Sequence, residues 1–336
     1  MKILSIESSC DETSAAVIEV DDGKLKICSV IIASQIEQHR LFGGVVPEVA
    51  SRAHTEAVSR ITYEALEEAN ISLDDIDAIG VTTRPGLIGA LLVGLSFAKG
   101  LAFSRNIPLV PVHHVKGHIA ANYFSDPAPK PPFLALAVSG GHTSLIRFDS
   151  YTECETIGRT RDDAMGEAFD KVGRVIGLPY PGGAALDKLA YSGDKSAIKM
   201  PSAAISDETL DFSFSGLKTF IINHVNTANQ KNIEISREDL AASFTYTAVS
   251  SVIKKLTAAV ERTGLQKLVV AGGVAANTHL RSALERFAEK NGIELFIPPI
   301  SLCGDNAAMI GAQAYYEFKV GNIADTSLNA FAAHIL

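Results

Sequence analysis

The same order of predicted elements occurs twice in this chain, and this repeat limits the possible folds more than any other feature. The first half opens with three segments that have the pattern of strands, "KILSIES" (2–8), "AAVIEV" (15–20) and "KLKICSVII" (24–32). The second half repeats them as "FLALAVS" (133–139), "SLIRFD" (144–149) and "CETIG" (154–158). Self-similarity on this scale predicts two related structural units.

Helices and strands alternate in the rest of each half. The first half continues with a predicted helix at 54–69, a strand at 77–82, an apolar helix from Leu87 and a strand at 107–113. The second continues with a helix at 239–262, a strand at 267–273, a helix at 277–292 and a strand at 293–299. Such alternation favours crossover connections and sheets covered on both faces.

We therefore expect an α/β fold of two similar lobes, each with a mixed β-sheet flanked by helices, and a cleft between them. The predicted lobes are residues 1–115 and residues 116–336. The second lobe carries additional polar sequence around residues 150–240, which we interpret as an insertion that walls the cleft.

Composition limits the function classes. The chain is 47% hydrophobic and 20% charged, as is typical of soluble globular proteins. The first residues turn polar too early for a secretory signal, and the apolar stretch 87–98, which stops at Lys99, is too short to cross a bilayer and predicts a buried helix. Four scattered cysteines suit reduced thiols in a cytoplasm. We expect a cytoplasmic protein without a membrane role.

The net charge of −8 gives no general attraction to nucleic acid. Any contact with nucleic acid must therefore be local or shared with a partner.

The segment "PVHHVKGHIAANY" (111–123) contains three histidines within six residues. If a helix begins here, His114 and His118 stand at i and i+4, and both imidazoles can reach one metal ion. His113 is a poorer candidate because its i+4 neighbour is Gly117. A zincin protease would need glutamate directly after the first histidine, where this chain has Val115. The alternative, that these are core or capping histidines, stays open at this point.

The repeat supplies a third candidate ligand. The segment after the last strand of the second half, "ISLCGDNAAMIG", corresponds to "HHVKGH" in the first, so Asp305 lies near the counterpart of His118 if the lobes face each other about a pseudo-twofold axis. Two histidines and one aspartate with open coordination positions suit Zn²⁺ or Fe²⁺ rather than Mg²⁺. The alternative role of Asp305 is a helix N-cap.

Paired glycines occur at three predicted strand or helix ends: "VSGGHT" (138–143), "PYPGGAALD" (179–187) and "AGGVAAN" (271–277). Glycine permits close approach of a ligand, and helix N-termini favour phosphate, so three such turns indicate a nucleotide site although each alone is an ordinary turn. "RDDAMGEAFDK" places four charged residues on one helical stretch that either holds ribose hydroxyls or is a solvated face: Asp163, Glu167, Asp170 and Lys171.

The first corner, "ESSCDET", contains Glu7, Asp11 and Glu12 but no glycine. Acidic side chains here would repel a γ-phosphate, which argues against kinase chemistry. Asp11 and Glu12 are instead candidate proton acceptors.

Together these features resemble the actin-like (ASKHA) ATPase superfamily, and more narrowly the TsaD family of tRNA N6-adenosine threonylcarbamoyltransferases, once named for a supposed glycoprotease. The resemblance covers nearly the whole chain through ten motifs in order: "IESSCDET", "FGGVVPEVASRAH", "PGLIGALLVG", "HHVKGH", "VSGGHT", "GEAFDKV", "PGG", "DFSFSGLKT", "AGGVAAN" and "DNAAMI".

The resemblance implies an acyltransferase that moves the threonylcarbamoyl group from L-threonylcarbamoyladenylate to N6 of the adenosine 3′-adjacent to the anticodon, in tRNAs reading ANN codons, and releases AMP. It implies one Fe²⁺ or Zn²⁺ per subunit on His114, His118 and Asp305. It places the adenylate against Ala137, Val138, Ser139, Gly140, Gly141, Asp170, Gly183, Asp187 and Asn277. It also implies a paralogous partner, TsaB, a small ATPase, TsaE, and tRNA as substrate. Glu12 or Asp11 would accept the proton of the amine.

The chain departs from the family pattern at Arg84, where glycine is expected, at Ala184, where proline is usual, and at Gly304, where threonine is usual. None of these removes a predicted ligand. The main alternative function is a nucleotide-hydrolysing or sugar-kinase-like member of the same superfamily. A non-catalytic nucleotide-binding scaffold and a metalloprotease fit the sequence less well.

Overall fold

The computed structural model describes residues 1–203, 205 and 208–333. The chain divides into two compact units, of which the first combines Met1–Lys130 with Ser301–Leu336 and the second is Pro131–Ile300. The division predicted between residues 115 and 116 differs from this, because residues 116–130 and the C-terminal segment belong to the first unit.

Each unit contains one five-stranded sheet, and the two sheets have the same arrangement. The strands of the first are β1 (Lys2–Glu7), β2 (Glu12–Asp21), β3 (Lys24–Ser34), β4 (Ala78–Arg84) and β5 (Leu109–His113). The strands of the second are β6 (Phe133–Val138), β7 (Thr143–Phe148), β8 (Cys154–Arg159), β9 (Lys267–Ala271) and β10 (Glu294–Phe296). The orders are β3-β2-β1-β4-β5 and β10-β9-β6-β7-β8.

In each sheet the first three strands along the chain pair antiparallel with one another, and the last two are joined to the sheet by parallel pairing. In the first, β1 pairs antiparallel with β2 and parallel with β4, and in the second β6 pairs in the same way with β7 and β9. The predicted repeat of two mixed sheets is therefore confirmed.

Helices connect and cover the strands in both units. In chain order they are α1 (Ile36–Arg40), α2 (Pro47–Glu68), α3 (Ile88–Arg105), α4 (His114–Ala120), α5 (Met165–Val175), α6 (Gly182–Leu189), α7 (Ser215–Gln230), α8 (Arg237–Thr263), α9 (Thr278–Asn291) and α10 (Ala307–Lys319). The helix predicted at 54–69 begins seven residues earlier, at Pro47. A backbone N–H at the first helical position has no partner within the helix, so a proline, which lacks this group, loses no hydrogen bond there.

The sheet of the first unit is buried on both faces. Leu4 and Ile6 of β1 pack with residues of α2 and α3 on one face. Ile3 of β1 packs with Met309 and Ile310 of α10 on the other. This two-sided burial explains why β1 has a continuous apolar run, and it places α10, from the end of the chain, in the first unit.

The second unit contains the segment predicted as an insertion. Between β8 and α8 lie α5, α6 and α7, which pack against one another or against α8. Residues 204, 206 and 207 of this segment lie outside the described residues.

The apolar helix predicted at 87–98 is longer than expected, because α3 continues past Lys99 to Arg105. Within the described ranges α3 is the one helix whose length and composition would allow it to cross a membrane. A single helix of this kind is weak evidence for a membrane span, because the core helix of a globular protein has the same properties. Ala90, Leu91, Leu95 and Ala98 are buried in this unit. The amino group of Lys99 donates to the carbonyl oxygen of Leu328 at 2.9 Å.

Candidate functional site

The predicted histidine helix is present as α4, and it begins directly where β5 ends. His113 is the N-cap, and its Nδ1 accepts a hydrogen bond from the backbone N–H of Val115 at 3.2 Å. His113 therefore satisfies a backbone donor at the start of the helix, which agrees with its prediction as the poorer ligand candidate.

The side chains of His114, His118 and Asp305 form one cluster. Nε2 of His118 lies 3.1 Å from Oδ1 of Asp305, and Nε2 of His114 lies 3.5 Å from the same oxygen. One ligand atom from each of the three residues lies within 4.8 Å of the others. The two imidazole centroids are 4.6 Å apart and the rings are nearly perpendicular. The i, i+4 spacing thus brings both rings to one point.

Asp305 lies just before α10 but is not its cap. The cap is Asn306, whose Oδ1 accepts from the backbone N–H of Met309 at 3.0 Å, and whose Nδ2 donates to the carbonyl oxygen of Gly304 at 2.9 Å. The alternative reading of Asp305 as an N-cap is therefore wrong, because the next residue has that role.

The donor set of this cluster fits a metal ion. Among the described residues, Nδ1 of His118 has no hydrogen-bond partner, and Nε2, 3.1 Å from Oδ1 of Asp305, makes no well-aligned hydrogen bond, although the side chain is only 2% exposed. A buried imidazole nitrogen that makes no hydrogen bond is costly unless it binds something else. Two imidazole nitrogens and one carboxylate oxygen are ligands that Zn²⁺ and Fe²⁺ accept, and the three positions leave others open.

Glu7, at the end of β1, lies behind His114. Its side chain is fully buried, and Oε2 is 3.0 Å from Nδ1 of His114. Burial opposes the charged form of His114, but the carboxylates of Asp305 and Glu7 outweigh it and raise the pKa of this imidazole to about 9. Burial likewise opposes ionisation of Glu7, and the facing His114 outweighs it, so the pKa of Glu7 is lowered.

The acidic corner lies close to the same cluster. Burial, followed by the charges of Asp305 and Asp11, raises the pKa of Glu12 to about 10, and a hydrogen bond with Asp11 contributes. Burial and the same acidic neighbours raise the pKa of the Cys10 thiol. Repulsion among carboxylates around Asp305 makes this corner attractive to a cation.

Three residues lie around His114 without having been predicted there: Ser9, Thr82, and Glu7, which the sequence placed only in the acidic first corner. The Oγ of Ser9 lies 3.2 Å from Nδ1 of His114, and the hydroxyl of Thr82 donates to Oε2 of Glu7 at 2.6 Å. The signal that could have found Glu7 is a charged residue at the end of the apolar run "KILSI", where a buried charge needs partners.

The second unit contains the residues predicted to contact an adenylate. Ala137 and Val138 are buried at the end of β6. Gly140 and Gly141 form the turn into β7, and a Cβ added to either would meet no atom within 4 Å. The turn is held by Ser139, whose Oγ accepts from the N–H of His142 at 3.0 Å.

Glycine allows two elements to approach this turn closely. A Cβ on Gly166 of α5 would lie 2.6 Å from the carbonyl oxygen of Ser139 and 2.9 Å from Cα of Gly140. A Cβ on Gly272 would overlap the carbonyl oxygen of Val138, and Gly272 has φ +96°. The predicted motifs "VSGGHT", "GEAFDKV" and "AGGVAAN" are thereby brought together at one end of the second sheet.

The polar residues predicted to bind the adenylate also have structural partners. Oδ1 of Asp170 accepts from the N–H of Gly183 at 2.8 Å, at the start of α6. Asp187 accepts from the hydroxyl of Thr278 at 2.8 Å and lies 2.7 Å from Nδ1 of His279. Asn277 is the N-cap of α9 and accepts from the N–H of Leu280 at 2.8 Å.

The acidic stretch at 161–171 is only partly helical. Asp163 precedes α5, so the expectation of four charged residues on one helical stretch is wrong for this residue. Asp163 lies 3.0 Å from Nζ of Lys171 and 2.6 Å from Nζ of Lys218. Burial opposes its charge, but Lys218 and Lys171 hold the pKa of Asp163 below its usual value.

Of the three departures from the family pattern, Arg84 and Ala184 are exposed. A Cβ on Gly304 would meet no atom within 4 Å. The space beside Asp305 is therefore open to the larger residue that the family pattern has at this position.

Two sheets of the same mixed order, and a cluster of two buried histidines and one partly buried aspartate, define an actin-like α/β protein with a candidate metal centre. The comparison with known proteins is more specific. The family TsaD, tRNA N6-adenosine threonylcarbamoyltransferase, matches residues 26–312. The chain belongs to this family of transferases.

Curated relatives agree with this assignment. A tRNA N6-adenosine threonylcarbamoyltransferase of Clostridium botulinum (strain 657 / Type Ba4) is 54% identical over 330 residues, covering 98% of this chain and 96% of that protein. One of Clostridium beijerinckii is 52% identical over 328 residues with the same coverage.

A solved structure, full-length HypF, covers 95% of this chain with a TM-score of 0.63 and 15% identity. The match spans 46% of the HypF chain, and at 15% identity it bears on the fold alone.

Proposed function

We propose that this chain transfers the threonylcarbamoyl group from L-threonylcarbamoyladenylate to N6 of the adenosine directly 3′ of the anticodon, in tRNAs that read ANN codons, and releases AMP. The observation that carries the proposal is the family match over residues 26–312, in a chain that also has the His114, His118, Asp305 cluster.

The reaction is an acyl transfer. The N6 nitrogen bonds to the carbamoyl carbon, the bond from that carbon to the phosphate oxygen breaks, AMP leaves with the electron pair, and N6 loses a proton. The adenylate is already activated, whereas the exocyclic amine of adenine is a weak nucleophile. The protein must therefore position the two reactants and stabilise the charge that develops on the carbonyl oxygen.

Fe²⁺ or Zn²⁺ would be held by Nε2 of His114, Nε2 of His118 and a carboxylate oxygen of Asp305. When bound, such an ion supplies a Lewis acid and a template for oxygen ligands. The open positions around this donor set support a substrate-facing site over a closed structural one.

Asp11 and Glu12 are the proposed acceptors of the N6 proton. They share a hydrogen bond, and burial with the charges of Asp305 and Asp11 raises the pKa of Glu12 to about 10. With this pKa the carboxyl group of Glu12 is protonated at pH 7 in the metal-free protein, and a cation held by Asp305 would favour the ionised form that can accept a proton.

The adenylate is proposed to bind the second unit at Ala137, Val138, Ser139, Gly140, Gly141, Asp170, Gly183, Asp187 and Asn277. The open space at Gly140 and Gly141 supports close approach of a ligand to this backbone. Asp170 and Gly183 lie side by side, as do Asp187 and the start of α9 behind Asn277.

We further propose that the protein works in the cytoplasm on tRNA, with TsaB and TsaE as partners. A net charge of −8 supports shared binding of tRNA, because the chain itself has no excess of positive charge.

Transfer of labelled threonine from the adenylate to tRNA, by the chain alone and then with the two partners, tests the proposal. We expect transfer by the complete system and a loss of at least about 100-fold in His114→Ala. The control variant is His224→Ala in α7, a histidine that stacks on Phe220 in the second unit. Unchanged transfer by His114→Ala would remove the metal from the proposal.

Absence of transfer by the wild-type chain with both partners would overturn the function itself. The sugar-kinase-like alternative predicts ADP from ATP with this chain alone. The acidic corner of Asp11 and Glu12 argues against that outcome, since a γ-phosphate would be repelled.

A further inference from the structure

Glu7 is a buried acidic residue to which the proposed reaction gives no part. It ends β1, its side chain is 0% exposed, and three donors surround its carboxylate. The backbone N–H of Ser9 donates to Oε1 at 2.5 Å. The Thr82 hydroxyl and His114 Nδ1 lie 2.6 Å and 3.0 Å from Oε2.

This arrangement determines which nitrogen of His114 is free. With the proton on Nδ1, His114 donates to Glu7, and the lone pair of Nε2 points toward the side where Asp305 lies 3.5 Å away. A metal-ligating histidine that donates its other N–H to a carboxylate is fixed in tautomer and in ring orientation, and its ligating nitrogen becomes more basic.

We propose that Glu7 is a positioning residue of the metal centre: its carboxylate holds His114 with the proton on Nδ1 and so presents Nε2 to the ion. The inference rests on the proposed metal site. Thr82 and Ser9 in turn hold Glu7, and they come from two separate segments of the first unit, so the carboxylate has one available orientation.

The variant Glu7→Gln discriminates sharply because of the donors around the carboxylate. The N–H of Ser9 cannot accept a hydrogen bond, so the amide oxygen must take the position of Oε1. The amide nitrogen then takes the position of Oε2 and donates to Nδ1 of His114, while the Thr82 hydroxyl rotates to accept. The proton of His114 moves to Nε2, which is the nitrogen that must bind the metal.

We expect Glu7→Gln to raise the dissociation constant for Zn²⁺ by about 10- to 100-fold, measured by competition with a chromophoric chelator. Imidazole ¹⁵N shifts of the metal-free protein, recorded at a pH where His114 is neutral, should show this ring protonated at Nδ1 in the wild type and at Nε2 in the variant. Glu7→Asp keeps the charge, and its affinity should lie between the two.

The matched control is Asp211→Asn. Asp211 is a buried acidic residue of the second unit, 8% exposed, whose carboxylate accepts from the backbone N–H of Arg159 at 2.9 Å and from Nε of Arg161 at 2.6 Å. If Glu7 had only a structural role, both substitutions would lower the free energy of unfolding, and the folded protein would bind Zn²⁺ with unchanged affinity.

Zn²⁺ binding by Glu7→Gln with the wild-type dissociation constant, or an unchanged His114 tautomer, would overturn the inference and leave the metal site intact. If wild type and His118→Ala bind Zn²⁺ equally, the proposed metal site fails, and the inference fails with it.

Discussion

Gly80 of β4 and Ala314 of α10 lie in direct contact, and a Cβ on Gly80 would be 2.6 Å from the Cβ of Ala314. The C-terminal helix therefore rests on the backbone of the first sheet at this point. Because Asp305 lies just before α10, this contact helps to fix its distance from His114 and His118.

Gly80→Ala should destabilise the protein by about 1–3 kcal/mol, since the Ala314 methyl group cannot rotate away from the added one. It should also weaken Zn²⁺ binding, because a displaced α10 carries Asp305 with it. Denaturant unfolding and chelator competition measure the two effects. The control is Gly100→Ala in α3, where a Cβ meets no atom within 4 Å and a gain of about 0.5–1 kcal/mol is expected. Equal effects of the two changes would contradict this role of the contact.

Metal binding should release protons at neutral pH. With Asp305 and Glu7 outweighing burial, the pKa of His114 is about 9, so the metal-free imidazole carries two protons at pH 7. A metal can bind only after Nε2 loses its proton. Zn²⁺ affinity should therefore rise by about tenfold per pH unit toward pH 9 and then level off. Calorimetry at pH 7 in buffers of different ionisation enthalpy measures the release, and no release would contradict the assignment.

The strands of the fold could be predicted because local periodicity determines them. The location of α10 could not be, since its apolar residues pack against β1 and β2, almost 300 residues earlier in the chain. A boundary between residues 115 and 116 follows if the repeat is read as two consecutive segments of the chain. The structure instead completes the first unit with Ser301–Leu336.

The candidate site also combines features that local sequence determines with features that depend on distant residues. The spacing of His114 and His118 is local, and the structure brings them together. Whether Asp305 or Asn306 caps α10 depends on the path of a loop, which the sequence "CGDNAA" leaves open. The part of Glu7 depends on Thr82 and His114, which are 75 and 107 residues away, so no local pattern indicates it.

Gly272 and Gly273 are adjacent but should respond differently to alanine. Gly272 has φ +96° and no space for a Cβ against Val138, whereas a Cβ on Gly273 meets no atom within 4 Å. We expect Gly272→Ala to cost about 1–3 kcal/mol and to raise the KM for the adenylate, because the end of β6 must move. Gly273→Ala should change both by much less. A similar KM in the two variants would argue against adenylate binding at this end of β6.

Asn277 both caps α9 and is proposed to bind the adenylate, and Asn277→Ser separates the two roles. Serine is about as good an N-cap as asparagine, so the unfolding free energy should change by less than about 0.5 kcal/mol. The amide group is lost, so the KM for the adenylate should rise. Thermal unfolding and steady-state transfer measure the two quantities. An unchanged KM would leave Asn277 as a helix cap only.

Glu12→Gln tests the proposed proton acceptor. The amide keeps the size of the side chain and can still bond to Ser34, whose hydroxyl donates to Oε1 of Glu12 at 3.3 Å, but it cannot take up a proton. Transfer to tRNA should fall by about 100- to 10,000-fold with Zn²⁺ and adenylate still bound. Glu19→Gln, at the other end of β2, is the control and should transfer at the wild-type rate. If Glu12→Gln also transfers at that rate, Glu12 is not the base, and the same measurement on Asp11→Asn then decides whether its neighbour is.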